Sequence, residues 1–457
     1  MSDVNDPTPE QVLSHALDVA RAAGASFADG VFAAGRSTSV KVRMGQTEKV
    51  TQSREHGLGI RVLVGAPGEL RTATTSTSDL SFAAIEQLVR HAVEAARLTA
   101  PDPFAGLPEP SDEPLADVAL DLWDEDVARL DADRALALAL ETEARALEVD
   151  RRLTNSEGAE MSWGWSQLHL ATSTGVFRDK RATSIGLWTT PVGEQDGDKQ
   201  RDYWYSSARH LGDLLSPAEI GREAARRTLR RLGARKPKTT KVPVIYEAPI
   251  ASRLIGVIAG AANGGAIYRD ASYLIGKLGQ AIASPHVTLR DDPHIVRGAA
   301  SRLFDGEGLP TRPFTLVEAG VLKSWVLDTY AGKKLGLPTT RSAWRGLGGS
   351  PSPGTSNLWM DNGVQTLDEL ISDLDEGLLV TDTFGGGANT VTGDYSQGAV
   401  GLWIEGGKLA YPVHELTIAS TLPEMWMGLD AIANDRDPTR ATSAPSFRIG
   451  RMTIAGA

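Results

Sequence analysis

The chain has 457 residues, a formal net charge of −11 and no cysteine, and 41% of its residues are hydrophobic. This composition is typical of a globular protein of two or three domains; it excludes disulfides and thiolate metal ligands, and it argues against nonspecific binding to nucleic acid or anionic membranes. Because the sequence has neither an apolar run that could cross a bilayer nor a signal-peptide pattern at its start, we expect a cytoplasmic protein.

The sequence pattern of the first region, 1–100, predicts an α+β unit. Thr8 and Pro9 begin a capped helix, and Gly24 is a natural stop for it. Alternating apolar residues then predict an antiparallel meander. A second amphipathic helix begins near Ser81. Helices flanking antiparallel strands are the pattern of an α+β fold.

A proline-rich segment, Pro101 to Pro114, predicts a linker to a middle region, 115–236. That region starts with an alanine- and leucine-rich helix. Long alternating strands follow from Arg152 to His210 and contain several tryptophans, among them Trp204. We expect these aromatic residues to pack in the core or on the sheet face.

The middle region ends with a helix that has a strongly basic face. Its capping box begins at Ser216. The face collects five arginines, Arg222, Arg226, Arg227, Arg230 and Arg231. DNA binding is one interpretation, but no nucleic-acid-reading motif accompanies the arginines. A solvated face, or pairing with the chain's own acidic strip at 109–126, is favoured instead.

The third region, 240–457, predicts a β-rich domain with a central helix. A strand over 242–246 precedes a helix over 249–262, whose small residues suit close approach of a neighbouring element. Near the end, three consecutive glycines predict positive φ angles or a close backbone approach. The pair Gly406-Gly407 then has the chemistry of a hairpin turn between two strands.

The glycine-rich stretch before that hairpin can present backbone and short polar groups to an extended ligand. The candidate residues for binding a peptide or a partner are Gly385, Gly386, Gly387, Asn389, Thr392, Asp394, Tyr395 and Ser396. A tight turn that only joins strands explains the same residues equally well.

Other catalytic patterns are absent from the sequence. There is no phosphate-binding loop and no nucleophile elbow. One cluster of nitrogen and oxygen donors, His286, Asp291, Asp292 and His294, leaves open an independent metal-dependent hydrolase.

The run G-x-N-x-V-T-G-D-Y-S-x-G-A-x-G-x-W-I-E-x-G-K-x-x-Y-P-V-x-E-x-T-I-A, from Gly387 to Ala419, resembles the C-terminal signature of the TldD/TldE (PmbA) family. The order of the elements resembles that family from about residue 10 to the end. In TldD subunits the helix equivalent to 249–262 carries an H-E-x-x-x-H zinc motif, in which the glutamate acts as a base.

Ungapped matching places that motif on Ile255 to Gly260, so its zinc-ligand and base positions are Ile255, Gly256 and Gly260. None of these residues can ligate a metal or move a proton. The chain also lacks the cysteine that TldD uses near its C-terminus. The resemblance therefore implies a TldE-like subunit with no catalytic residue and no metal ligand of its own.

For function, the resemblance implies a heterodimer with a TldD-like zinc peptidase, whose partner subunit holds the zinc. The assembly would cleave unfolded peptides in an enclosed cavity, for maturation of peptide precursors or for peptide degradation. This subunit alone is expected to be inactive. A rival interpretation is a non-enzymatic peptide-binding or modulator protein that acts as a homodimer.

Overall fold

The computed structural model describes residues 7–109 and 113–456. The helices are α1 (Pro9–Ala22), α2 (Phe82–Leu98), α3 (Glu125–Ala128), α4 (Ala132–Leu147), α5 (Pro217–Leu229), α6 (Ala248–Ala261), α7 (Gly264–Ile267), α8 (Thr329–Leu335), α9 (Leu367–Ser372) and α10 (Leu422–Met427). Across these two ranges, no helix combines the length and the hydropathy that a bilayer-spanning segment requires.

The two helix starts predicted from capping boxes are confirmed. The Thr8 hydroxyl accepts the Gln11 N–H at 3.3 Å, and the Gln11 side chain accepts the Thr8 N–H at 2.9 Å. Ser216 and Glu219 make the same reciprocal pair at the start of α5. Each box satisfies backbone donors that the first helical turn leaves without a partner.

The N-terminal half forms one antiparallel sheet. Its strands are β1 (Phe27–Arg43), β2 (Gln46–Val64), β3 (Arg71–Thr77), β4 (Leu153–Thr172), β5 (Phe177–Gln195), β6 (Asp198–Arg201) and β7 (Trp204–Ala208). Their order is β3-β2-β1-β4-β5-β6, and β7 also pairs with β5. Because β1 pairs with β4 from Asp29 to Val42, the predicted units 1–100 and 115–236 share a single sheet.

Two apolar clusters bind helices to this sheet. In one, Leu13 of α1 and Val89 of α2 are buried with Ile60 of β2. In the other, Ala139 of α4 is buried with Met161 of β4. Each helix buries the apolar stripe that its sequence period predicts.

The described part of the proline-rich segment is attached to the fold rather than free. Leu107 is buried together with Leu63 and Leu70. The Asp102 N–H donates to the Leu70 carbonyl at 2.8 Å, and its carboxylate accepts the Tyr330 hydroxyl at 2.7 Å. The interpretation of this segment as a simple linker is therefore wrong for residues 101–109; residues 110–112 lie outside the described ranges.

The C-terminal half is rich in β-strands, as predicted. Its strands are β8 (Thr240–Tyr246), β9 (Leu289–Asp292), β10 (Phe314–Glu318), β11 (Val321–Leu322), β12 (Ala343–Trp344), β13 (Ser352–Pro353), β14 (Asn357–Met360), β15 (Glu376–Ala388), β16 (Asp394–Glu405), β17 (Lys408–Thr421), β18 (Leu429–Ile432), β19 (Thr442–Ser443) and β20 (Phe447–Ala455). The hairpin turn at Gly406-Gly407 is confirmed, with φ angles of 56° and 73°.

Five of these strands close into a ring. The pairing runs β17-β16-β15-β8-β20, and β20 returns to pair with β17. Strands β8 and β15 run parallel, while the other pairs in the ring are antiparallel. Helix α6 packs its apolar face into the same core as Tyr246, Val380 and Phe447 from the ring. The predicted central helix of a β-rich domain is therefore confirmed.

Candidate functional site

Helix α6 has an inner and an outer face. Ile255 lies on the inner face and is fully buried. Arg253, Gly256 and Gly260 lie on the outer face, since residues three and four apart share one side of a helix. A Cβ atom on either glycine would meet no atom within 4 Å. The interpretation that these glycines let a neighbouring element approach is wrong, because they border open space.

The zinc site of TldD subunits does not fit this helix. Zinc requires nitrogen, oxygen or sulfur donors. Ile255 offers only hydrocarbon and lies in the core, while Gly256 and Gly260 offer no side chain. Within residues 7–109 and 113–456, no three histidine, cysteine, aspartate or glutamate side chains gather closely enough to hold a metal ion.

The independent metal-dependent hydrolase would need the cluster of His286, Asp291, Asp292 and His294. These four side chains do not assemble into one site. His286 is exposed, whereas Asp291 is buried and accepts a backbone N–H at 2.7 Å. Asp292 accepts the backbone N–H of His294 at 2.7 Å, and the ring of that histidine lies 3.1 Å from a threonine hydroxyl. Burial also raises the pKa of Asp291 to about 7, which weakens it as a metal ligand.

A cavity of about 420 Å³ opens over the outer face of α6. Arg253 and Gly256 lie on its α6 side, and Asp382 of β15 lines it beside them. Tyr203 and Trp204, from the N-terminal sheet, provide a further wall. The cavity therefore lies between the two halves of the chain, over the outer face of α6.

The cavity lining combines charged and aromatic groups. Arg253 lies 3.7 Å from the Asp382 carboxylate and 3.4 Å from the Tyr203 hydroxyl. The Arg440 guanidinium lies over the rings of Trp204 and a neighbouring tyrosine, 5.8 and 4.7 Å from their centroids. These groups can stack on a ligand and donate hydrogen bonds to it. The described lining contains no histidine or cysteine that could act as base or nucleophile.

Three arginines of the predicted basic face, Arg227 in α5 and Arg230 and Arg231 just after it, pair with carboxylates and do not extend into solvent. Arg227 donates to Glu247 at 2.9 Å, and Arg230 makes two bonds of 2.9 Å to the same carboxylate. Arg231 lies 3.6 Å from each of two further carboxylates, on β15 and just before β7. The expectation of a solvated face is wrong for these three arginines, and none of these partners belongs to the acidic strip at 109–126.

Gly385, Gly386 and Gly387 form a bulge in β15. Their φ angles are 52°, 54° and 144°, which confirms the predicted positive φ. The register of the β15–β16 pairing shifts at this point. The Thr383 hydroxyl lies 3.4 Å from Arg253, and the bulge begins three residues beyond Asp382 of the cavity wall.

The polar side chains after the bulge bond mainly within their own turn. The Asn389 side-chain oxygen accepts two backbone N–H groups, at 2.9 and 3.2 Å, and the Thr392 hydroxyl donates to Asp394 at 2.6 Å. Tyr395 is buried, and its hydroxyl bonds to another core tyrosine. Tyr395 is therefore a core residue. The Gly385 carbonyl accepts from the Gln397 side chain, and Gly387 pairs with Ser396 in the β15–β16 ladder. Gly385, Gly386 and Ser396 are exposed.

Gly386→Ala should lower the free energy of unfolding more than Gly385→Ala. Both alanines would occupy left-handed backbone, at a cost of about 1–2 kcal/mol. A Cβ on Gly386 would also lie 2.3 Å from the Ser396 carbonyl oxygen, whereas one on Gly385 would meet nothing within 4 Å. Urea unfolding of the two variants measures the difference, and equal losses would contradict the bulge geometry. Gly385→Ala is therefore the variant suited to functional tests.

Sequence reasoning missed the aromatic wall of the cavity. Trp204 packs against the core of the N-terminal sheet, as expected, and it also lines the cavity together with Tyr203 and Tyr205. Three consecutive aromatic residues are the one signal in the sequence, because neighbouring strand positions face opposite sides and cannot all be core. Nothing in the sequence indicated that Arg440 lines the cavity, because only the tertiary fold brings this residue to the site.

Three family models match the chain in succession. They describe PmbA/TldA metallopeptidase domain 1 at residues 28–96, the central domain at 125–232 and the C-terminal domain at 239–456. Their boundaries fall close to those of the three predicted regions.

Named relatives and solved structures match over nearly the whole length. The metalloprotease PmbA of Escherichia coli is 34% identical over 98% of this chain and 96% of its own. The crystal structure of a candidate modulator of DNA gyrase from Bacteroides thetaiotaomicron has a TM-score of 0.89 at 29% identity, covering 98% of this chain and 100% of that one. TldE from Thermococcus kodakarensis shares the fold, with a TM-score of 0.80 at 21% identity over 97% and 99% of the two chains. On these matches the chain belongs to the PmbA/TldD metallopeptidase family.

Proposed function

We propose that this chain is the zinc-free subunit of a TldD/TldE-type heterodimeric metallopeptidase. A TldD-like partner supplies the zinc and the catalytic glutamate, and the two subunits enclose a cavity that admits unfolded peptides. The reaction is hydrolysis of peptide bonds, in maturation of peptide precursors or in peptide degradation. This chain alone cleaves no peptide.

The observation that carries the proposal is the outer face of α6. Of the three positions that the resemblance assigns to the zinc motif, Ile255 is buried in the core, while Gly256 and Gly260 leave an open surface without donor atoms. A cavity of about 420 Å³ is nevertheless present over that surface. A subunit that has lost the donors but kept the cavity fits a role in holding the peptide and not in cleaving it.

The groups around the cavity suit an extended peptide. Arg253 has half of its side chain exposed and can donate charge-assisted hydrogen bonds to a peptide carbonyl or carboxylate. Tyr203 offers a partly exposed ring for side-chain packing. The bulge at Gly385–Gly387 continues from this wall, and its exposed backbone can pair with an added strand.

Co-expression tests the proposal directly. The chain is produced with a TldD-like subunit that carries the H-E-x-x-x-H motif, and the mass of the complex, its zinc content and its cleavage of an unfolded peptide are measured. We expect a heterodimer that holds zinc and cleaves the peptide. The chain purified by itself should do neither.

A point variant then tests the cavity. Arg253→Ala should lower kcat/KM of the heterodimer about tenfold or more, because a hydrogen bond to a charged group contributes about 1.5–3 kcal/mol. The matched control is Arg90→Ala, which removes an exposed arginine paired with Glu86 on α2, remote from the cavity. The control should leave both assembly and cleavage unchanged.

Two results would overturn the proposal. Tightly held zinc or peptide cleavage by the chain alone would show an independent enzyme. A homodimer that binds peptides without cleaving them and ignores the TldD-like subunit would favour the peptide-binding or modulator alternative.

A further inference from the structure

A second group of basic side chains lies away from α6, between the N-terminal sheet and the C-terminal half. Lys180 belongs to β5, Arg209 directly follows β7, and Arg302 lies between β9 and β10. Two cavities of about 270 and 180 Å³ meet at this group, and Lys180 lines both of them. Arg302 lines the larger cavity and Arg209 the smaller one.

These three cations lack carboxylate partners. Among the described residues, no aspartate or glutamate oxygen lies within 4.0 Å of the charged nitrogens of Lys180, Arg209 or Arg302, and Arg209 donates instead to the backbone carbonyls of Thr183 and Ala299. Arg302 is 3% exposed and donates only to backbone carbonyls, the better bond being 2.7 Å to Ala343. The Nε atoms of both arginines are buried without any hydrogen-bond partner.

The two carboxyls whose charges act on Arg302 are engaged elsewhere, and a third carboxyl, Asp179, lines the larger cavity. Asp305 accepts the backbone N–H groups of Glu307 and Ala343, and Asp291 accepts a backbone N–H at 2.7 Å. The ring of Trp344 gives weaker compensation, since it lies 5.9 Å from the Lys180 ammonium and 4.2 Å from the Arg302 guanidinium. The positive charge at this point is therefore only partly balanced.

The pKa values of Lys180 and Arg302 are both lowered where this charge is incompletely balanced. Burial and the nearby charges of Arg302 and Arg209 lower the pKa of Lys180 to about 8. Burial also lowers the pKa of Arg302 to about 10, although the neighbouring aspartates oppose it. Unpaired charges away from water are costly, and a bound counter-charge relieves that cost.

We propose that Lys180, Arg209 and Arg302 form a binding site for a small oxyanion, at the junction between the N-terminal sheet and the C-terminal half. The ligand presents phosphate- or carboxylate-type oxygens to the Lys180 ammonium and to the two guanidinium groups, whose Nε atoms lack partners. The two cavities are large enough for a free ion or for the terminal carboxylate of a peptide. This site is separate from the cavity over α6 and does not depend on the function proposed above.

Inorganic phosphate is the first probe. It is titrated into the purified full chain at constant ionic strength, with sodium chloride as the compensating salt, while heat and melting temperature are recorded. We expect saturable binding and a melting temperature that rises with phosphate concentration, because a ligand that binds only the folded state stabilises it. A short peptide with a free C-terminal carboxylate, compared with its amidated form, tests the second source of the oxyanion.

Lys180→Gln separates binding from folding. The variant should weaken phosphate binding about tenfold or more, since it removes a charge-assisted hydrogen bond. Without phosphate, its melting temperature should equal or exceed that of the unchanged chain, because a half-buried and poorly compensated charge is gone. Lys180→Arg keeps the charge and should retain binding. Lys199→Gln is the matched control, an exposed lysine of β6 in the same sheet.

Each outcome of these experiments either supports or overturns the proposed oxyanion site. Phosphate binding that Lys180→Gln weakens and Lys199→Gln does not supports a free-ion site, and a preference for the carboxylate peptide over its amide supports a peptide-terminus site. No saturable binding of either probe overturns the proposal. Equal binding by Lys180→Gln and the unchanged chain also overturns it.

Discussion

Glu247→Gln should lower the free energy of unfolding by about 3–5 kcal/mol, because it removes one partner from a buried ion-pair network. Glu247 is 8% exposed and accepts three hydrogen bonds of 2.9 Å, one from Arg227 and two from Arg230. The variant leaves both guanidinium groups buried beside a neutral amide. Urea unfolding followed by circular dichroism measures the loss.

Glu86→Gln is the control for this variant. It also removes a carboxylate that accepts from an arginine, but both members of the Glu86–Arg90 pair on α2 are about half exposed. Exposed pairs of this kind contribute only about 0.3–0.5 kcal/mol. A loss for Glu247→Gln as small as that of the control would mean that water reaches the α5–α6 junction, contrary to the burial described.

The same network should make stability depend on pH. Burial raises the pKa of Glu247, but the hydrogen bonds and charge of Arg230 and then of Arg227 outweigh burial and hold the pKa below its ordinary 4.5. A carboxyl whose pKa is lower in the folded state stabilises the fold above its unfolded pKa and loses that effect as pH falls through the folded pKa. The stability difference between the unchanged chain and Glu247→Gln should therefore be full at pH 7 and shrink below about pH 4.5.

Ile255→His should cost about 3–5 kcal/mol, although it restores a residue of the family's zinc motif. Ile255 is 0% exposed in the C-terminal core, so the change removes apolar burial and places an imidazole where no partner is available. Gly256→Glu, at the adjoining motif position, should be tolerated. Its side chain would enter the open cavity, and replacing a helical glycine gains up to about 1 kcal/mol of helix propensity.

Thermal and urea unfolding of the two single variants separates these effects. Ile255→Val gives the reference for a small loss of volume, about 0.5–1.5 kcal/mol. If Ile255→His were as stable as the unchanged chain, this side chain would not be in the core. A large loss for Gly256→Glu would show that the outer face of α6 is covered.

Local features of this protein are determined by its sequence alone. The capping boxes at Thr8 and Ser216, the positive φ of Gly385 to Gly387 and the Gly406-Gly407 turn were all predicted, because each depends on residues a few positions apart. The fold class was predictable for a related reason. Hydrophobic period separates strands from helices, and the family resemblance implied the order of the elements.

The tertiary structure decided what lies at the site. Tyr203, Arg253 and Arg440 are about 50 and 190 positions apart along the chain, and only the pairing of β7 with β5 and the closure of the β-ring bring them around one cavity. The same holds for Lys180 and Arg302, which no motif connects. Helical period showed that Ile255 and Gly256 point in different directions, but it could not show which of them faces the core. That depended on which face of α6 the ring covers, and so the structure assigned Ile255 to packing and left Gly256 at the edge of a cavity.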